Sequence, residues 1–221
     1  MKHTAVLWDM DGTLVDTEPY WIATEFELAE RFGGTWTEEH GLALVGNDLL
    51  ASGRYILRHM FPPDAPGAQL SPEQVVDLLL DGVVARVEQE VPWRPGAREL
   101  LATLVDAGVP CALVTMSYQR FVEPILAQLP VGAFTEIVTG DKVAQGKPHP
   151  EAYLKAAAGL GVEPSACIAI EDSNTGATSA EAAGCTVLVV PCHVDVEPGE
   201  RRVFRESLVG IGVDQLLTLS A

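Results

Sequence analysis

Leu7-Trp8-Asp9-Met10-Asp11-Gly12-Thr13-Leu14-Val15-Asp16 decides how this chain is read. The run from Thr4 to Met10 is strand-like and mostly apolar, and it leads into two aspartates at i and i+2, a glycine and a threonine. Four further runs have strand character: Val109–Met116, Glu136–Gly140, Cys167–Ile170 and Thr186–Val190. All but one are rich in consecutive Val, Ile or Leu, as expected for parallel strands covered on both faces.

Between the later runs lie helical patterns at Gly96–Ala107, Tyr118–Leu129, Pro150–Leu160 and Ser173–Ala183, with glycine at or just beyond the end of several of them. Strand alternating with helix predicts an α/β fold, a doubly wound parallel sheet. The stretch from about Asp16 to Pro92 breaks that rhythm. It carries helical periodicity, with Ile22, Phe26 and Ala29 on one face and Val75, Leu79 and Val83 on another, and no clear strand. Gly33-Gly34, Gly46-Asn47 and Pro62–Gly67 are its expected turns. At the other end, Val213–Leu219 reads as a short closing helix, and Arg201, Arg202 and Arg205 as a solvated basic cluster.

Composition narrows the function. The 221 residues are 48% hydrophobic and 20% charged, enough for a sizeable core. A formal charge of −17 repels nucleic acid and anionic membrane surfaces, so neither is expected as a partner. No apolar run has membrane-spanning length and no signal peptide is visible, which places the protein in the cytoplasm, with a monomer expected. Cys111, Cys167, Cys185 and Cys192 form no C-x-x-C pair and read as reduced thiols.

Ligands of open α/β sheets bind beyond the carboxyl ends of the strands. The residues there are Asp9 and Asp11 after the first run, Thr115-Met116-Ser117 after the second, and Glu171-Asp172-Ser173 after the fourth, with Lys147 just before the helix near Pro150. Each alone has an ordinary explanation, as a helix cap, a satisfied hydroxyl or a solvated loop charge. Together they are chemically coherent. Carboxylates gathered at one edge call for a hard divalent cation. A hydroxyl, backbone N–H groups and an ammonium suit phosphoryl oxygens.

LWDMDGTLVD, LVTMS, GKPHPE and IEDSNTGATSAEAAG, in that order and spacing, closely resemble the four signature motifs of the haloacid dehalogenase superfamily. The resemblance covers nearly the whole chain. It implies a Rossmann-like catalytic core of residues 1–15 and 93–221, and an inserted all-helical cap of residues 16–92 of the kind found in β-phosphoglucomutases and sugar phosphatases. It further implies a Mg²⁺-dependent phosphatase. Asp9 would be the nucleophile that becomes an aspartyl-phosphate, and Asp11 the general acid and then base. Thr115, Met116 and Lys147 would hold the phosphoryl group. Asp9, the Asp11 carbonyl and Asp172 would bind the metal, with Glu171 as a direct or outer ligand. Thr13 would orient Asp11, and the Lys147–Pro148 peptide would be cis as in some relatives. The linkers near Val15–Thr17 and Val91–Pro95 would act as hinges.

Among such relatives, Asp11 argues against a dehalogenase, and the absence of lysine from residues 16–92 argues against a Schiff-base phosphonatase. Mutases of this type are expected to carry a histidine where this chain has Trp21 and an arginine near Leu49, so hydrolysis is favoured over mutase action, and the intact Asp9, Asp11, Lys147 and Asp172 set argues against non-catalytic binding of a phosphometabolite. The insertion holds 14 acidic residues against four arginines, a formal −10, which disfavours a second phosphate. The expected substrate is a small phosphorylated metabolite, a sugar or polyol monophosphate, with Glu18, Trp21 and Asn47 as candidate contacts.

Overall fold

The first strand, β1 (Ala5–Trp8), is fully buried and lies inside a parallel sheet. With β2 (Cys111–Val114), β3 (Glu136–Val138), β4 (Cys167–Glu171), β5 (Thr186–Val189) and β6 (Arg202–Phe204), it forms the order β3-β2-β1-β4-β5-β6. Every pair is parallel. These strands belong to a computed structural model that describes residues 2–220.

The period-two alternation of a strand explains how one sheet serves two cores. Val6, Trp8, Cys111, Leu113, Ile168, Ile170 and Leu188 face one cluster, which also contains α5 (Ala97–Asp106), α6 (Gln119–Leu126) and α9 (Val213–Leu217). Ala5, Leu7, Ala112, Val114, Cys167, Ala169, Val187 and Val189 face the other, against α7 (Glu151–Gly159) and α8 (Asn174–Ala183). The second face is lined by small residues on both sides, with Ala152, Ala156 and Ala157 on α7 and Ala177 and Ala180 on α8, so these helices approach the sheet closely. The doubly wound α/β class expected from the sequence is the observed one.

Between β1 and α5 the chain forms α1 (Glu18–Phe32), α2 (Glu38–Leu42), α3 (Leu49–His59) and α4 (Pro72–Gln89). Ser71 caps α4 through a full capping box with Gln74, which satisfies two backbone donors at that end. Val75, Leu79 and Val83 are buried as the periodicity predicts. The stripe on α1 is not the expected one. Phe26 is 42% exposed, and the buried face is Trp21, Thr24, Glu25, Leu28 and Ala29. Two polar residues on that face hide it from a hydrophobicity pattern. Thr24 donates its hydroxyl to Tyr20 O at 2.7 Å, and a Cβ at Gly82 of α4 would stand 2.5 Å from its methyl, so the two helices meet where neither carries a large side chain.

The two ends of this insertion run side by side. Val15 bridges Trp93 in antiparallel fashion, Asp16 N–H donates to Pro92 O at 2.7 Å and Arg94 N–H to Leu14 O at 3.0 Å.

The basic cluster near the C-terminus is only partly solvated, a correction to its reading as surface charge. Arg201 and Arg205 are exposed, but the Arg202 side chain is 7% exposed and lies on β6, a strand too short and too polar to register in the sequence. Its guanidinium donates to Glu181 Oε2 at 2.9 Å, Thr178 Oγ1 at 2.9 Å, Glu197 O at 2.9 Å and Asn174 Oδ1 at 3.3 Å, clamping β6 and the preceding loop onto α8. Arg202→Ala strands these acceptors and is expected to lower unfolding free energy by about 2 kcal/mol in urea titration, whereas Arg205→Ala leaves it nearly unchanged.

Candidate active site

β1, β2 and β4 end on Asp9, Thr115 and Asp172, and the loop between β3 and α7 delivers Lys147, whose peptide bond to Pro148 is cis as expected. A single cavity is lined from the sheet side by Asp9, Asp11, Thr115, Met116, Ser117, Lys147, Asp172 and Ser173. From the insertion side, Glu18, Trp21, Glu25, Asn47, Leu49 and Leu79 line the same space. Of the residues singled out from the sequence for the site, Thr13 and Glu171 are absent from this lining; both are buried, Glu171 fully so.

Lys147 is buried among carboxylates. Its ammonium donates to Asp9 Oδ1 at 2.7 Å, Glu171 Oε1 at 2.7 Å and Val114 O at 3.0 Å. Burial by itself would lower the lysine's pKa, but the charges of Asp9 and Glu171 outweigh it and the net direction is upward, so the ammonium stays charged. Burial and the neighbouring Asp9 charge push Glu171 up, opposed by Lys147 and by the Tyr153 hydroxyl, which also donates to Oε1. Tyr153 thus joins the site from α7, where no motif announced it.

Asp11 sits in a different environment from Asp9. The Thr17 hydroxyl donates to its Oδ1 at 2.6 Å, and the Ser117 and Thr115 hydroxyls donate to its Oδ2 at 2.8 and 3.2 Å. Burial raises its pKa, the Thr17 bond opposes that rise, and the Asp9 charge adds to it, leaving a net upward shift. Thr13 does not orient Asp11, contrary to expectation: its Oγ1 is buried without a hydrogen-bond partner. The orienting hydroxyls are Thr17, Thr115 and Ser117. The Thr115 backbone N–H is engaged by Val138 O at 2.9 Å, which leaves its side chain, rather than its amide, to face the cavity.

The acidic edge suits a hard cation. Ligand oxygens of Asp9, Glu171 and Asp172 all lie within 4.8 Å of one another. Asp9 Oδ2 and Asp172 Oδ2 are buried with no hydrogen-bond donor, a costly state that a Mg²⁺-sized ion relieves. Gly12, at φ +88°, leaves the room that Asp172 occupies; a Cβ there would lie 1.9 Å from Asp172 Oδ2.

The insertion side is acidic and aromatic. Glu18, Trp21 and Glu25 follow i, i+3, i+7 spacing on one face of α1. Trp21 is buried and meets Phe121 of α6 edge-on, centroids 5.3 Å apart, so it packs as a core residue while lining the cavity. Burial, then the charges of Glu25, Asp11 and Asp16, push Glu18 up to about 8. Asn47 is exposed and donates to Ala43 O at 3.0 Å. None of the insertion's arginines lines the cavity. Arg86 pairs with Glu27 at 2.5 Å and Arg31 lies over Phe32.

A family model described as haloacid dehalogenase-like hydrolase matches residues 3–184. Hexitol phosphatase A of Escherichia coli strain K12 is 34% identical over 205 residues, spanning 88% of this chain and 86% of that protein. Hexitol phosphatase B of the same strain is 30% identical over 188 residues, spanning 85% and 83%. Among solved structures, a mutant of CbbY from Rhodobacter sphaeroides in complex with xylulose-(1,5)bisphosphate superposes with a TM-score of 0.80, at 27% identity, over 95% of this chain and 96% of that one.

The buried Glu25 yields a stability prediction. Burial pushes it from 4.5 up to about 7, the Trp36 hydrogen bond opposing the shift. A folded-state pKa above the unfolded one means that its contribution to stability is fully present below about pH 4.5 and is lost as pH rises through about 7. Glu25→Gln, which cannot ionise, is therefore expected to gain up to about 3 kcal/mol over the parent at pH 8 and nothing near pH 4.5, measured by denaturant unfolding at both pH values.

Proposed function

This chain belongs to the haloacid dehalogenase-like hydrolases, and we propose that within them it is a cytoplasmic, monomeric, Mg²⁺-dependent phosphatase of sugar or polyol monophosphates that works through Asp9. One observation carries the reading: the cavity holds two carboxylates in opposed settings, Asp9 paired with a buried ammonium and Asp11 wrapped in hydroxyls with its pKa raised. A pair separated in this way divides into a nucleophile and an acid.

The Asp9 carboxylate attacks phosphorus in line while the P–O ester bond breaks, and Asp11 delivers its proton to the departing alkoxide. The aspartyl-phosphate is then opened by water, whose proton passes to the now ionised Asp11, restoring both groups. Lys147 attracts the phosphoryl oxygens by its charge, its three N–H bonds being held by Asp9, Glu171 and Val114, and the Met116 amide and the Thr115 side chain complete the phosphate site. Asp9, the Asp11 carbonyl and Asp172 would hold a divalent cation, which when bound would supply neutralisation of the negative charge gathered there. Glu171, already engaged by Lys147 and Tyr153, supports this set from behind.

The substrate's single phosphate follows from charge. Lys147 is the only lysine or arginine lining the cavity among the described residues, and the far wall presents Glu18 and Glu25. A mutase must hold a bisphosphate intermediate, and this wall offers no cation for the second phosphate. The names of the hexitol phosphatases support a hydroxyl-rich remainder.

The expected result is Mg²⁺-dependent phosphate release from a few sugar or polyol monophosphates, abolished by EDTA and by Asp9→Asn. Asp11→Asn is expected to lower kcat by about 10²- to 10⁴-fold, the range for loss of a general acid, with full effect on poor leaving groups. Turnover surviving in Asp9→Asn, or conversion of β-glucose 1-phosphate to the 6-phosphate, would overturn the assignment.

A further inference from the structure

The hydrolytic scheme leaves one buried carboxylate without a task. Glu25 is 3% exposed, lines the cavity, and accepts a hydrogen bond on Oε2 from the Trp36 indole N–H at 2.8 Å. Trp36 is itself buried, stacked on His40 with centroids 4.9 Å apart, and edge-on to Tyr55 at 6.1 Å. Gly41 of α2 packs against the same oxygen, and a Cβ there would lie 3.0 Å from Oε2. The carboxyl group is therefore aimed, not loosely tethered. A carboxylate taken out of water with one protein donor is an unfavourable component of a fold, and groups of this kind concentrate at sites that need them.

Position says what it faces. Glu25 stands two helical turns beyond Glu18, roughly 10 Å along α1, while Glu18 is close enough to Asp11 to feel its charge. Glu25 thus belongs to the end of the cavity remote from the phosphoryl group. Between the two lies the Trp21 indole, an apolar surface suited to the C–H face of a carbohydrate.

We propose that Glu25, aimed by Trp36, is a specificity-determining residue that receives hydrogen bonds from substrate hydroxyls several carbons away from the phosphate ester. It selects extended polyhydroxyl remainders over short or anionic ones, because a substrate hydroxyl satisfies the Oε1 that Trp36 leaves open, whereas an acid group there finds the carboxyl groups of Glu18 and Glu25 and no cation. This inference rests on the phosphatase reading above. Glu25 reads the substrate; Trp36 is a positioning residue.

The test compares kcat/KM for sorbitol 6-phosphate with kcat/KM for p-nitrophenyl phosphate, which lacks hydroxyls, in the parent, Glu25→Ala, Glu25→Gln and Trp36→Phe. Because each variant is judged by the ratio of two substrates, loss of folded enzyme cancels. The ratio is expected to fall about tenfold or more in Glu25→Ala, carried by KM for sorbitol 6-phosphate, as for a lost hydrogen bond to a charged group. Glu25→Gln, which keeps an acceptor, should lose less, and Trp36→Phe should shift KM in the same direction as Glu25→Ala. An unchanged ratio in Glu25→Ala, or equal losses on both substrates, would overturn the proposal. A parent that hydrolyses p-nitrophenyl phosphate but not sorbitol 6-phosphate would overturn it while leaving the phosphatase reading intact; hydrolysis of neither with Mg²⁺ present would remove both.

Discussion

Three carboxylates, Asp9, Glu171 and Asp172, are buried at one edge of a parallel sheet, and one ammonium, that of Lys147, stands among them. Everything around the site is arranged to make that excess of negative charge tolerable. The Lys147 loop must reach across β2 to place its Nζ on Val114 O, Asp9 and Glu171 at once, and Tyr153 on α7 must supply a further donor. The arrangement remains incomplete without a cation, since two carboxylate oxygens have no donor. Such a floor is costly for an empty protein and useful for one that receives a metal ion and a phosphate, because groups fixed before the reaction need no reorganisation during it.

The floor and the far wall follow different physical rules. The floor hangs from the ends of β1, β2 and β4, which are held by ladder hydrogen bonds and two packed cores, so its geometry is rigid. The wall is built on helices that share a buried apolar core, including Leu28, Ile56, Val75, Leu79 and Val83, with Thr24 set against Gly82 where α1 meets α4. Strong electrostatics sit on the strand ends, and shape and hydrogen bonding on the helices. Asp11 lies at the boundary, because Thr17, which donates to it, belongs to the chain leading into α1.

What was legible in the sequence follows from the same division. Consecutive apolar residues betray doubly covered strands, and the residues after each strand converge by topology alone, so Asp9, Asp11, Thr115, Lys147 and Asp172 stand out together. β6 stayed hidden because an edge strand of three residues, carrying Arg202, has no apolar run to show. Phe26 was misplaced because the true inner stripe of α1 contains Thr24 and Glu25, and polar residues facing a cavity look like a solvent face. The same masking concealed Glu25 itself; its one signal was the i+7 spacing from Glu18. Thr17 and Tyr153 carry no signal apart from their three-dimensional neighbours, and Thr13, two residues from the acid in sequence, makes no hydrogen bond to it.

The pairing of Val15 with Trp93, flanked by the bonds of Asp16 to Pro92 and Leu14 to Arg94, has a consequence for how such a protein can change over generations. The sheet sees the whole helical insertion as a detour that leaves and returns at the same spot, so its length and contents impose almost no strain on β1 or α5. Helices can be lengthened, swapped or recoloured with new side chains while Asp9 and Lys147 keep their positions. Chemistry and recognition are thereby inherited separately: one catalytic floor can acquire a new substrate by rewriting its ceiling, without renegotiating the charges beneath.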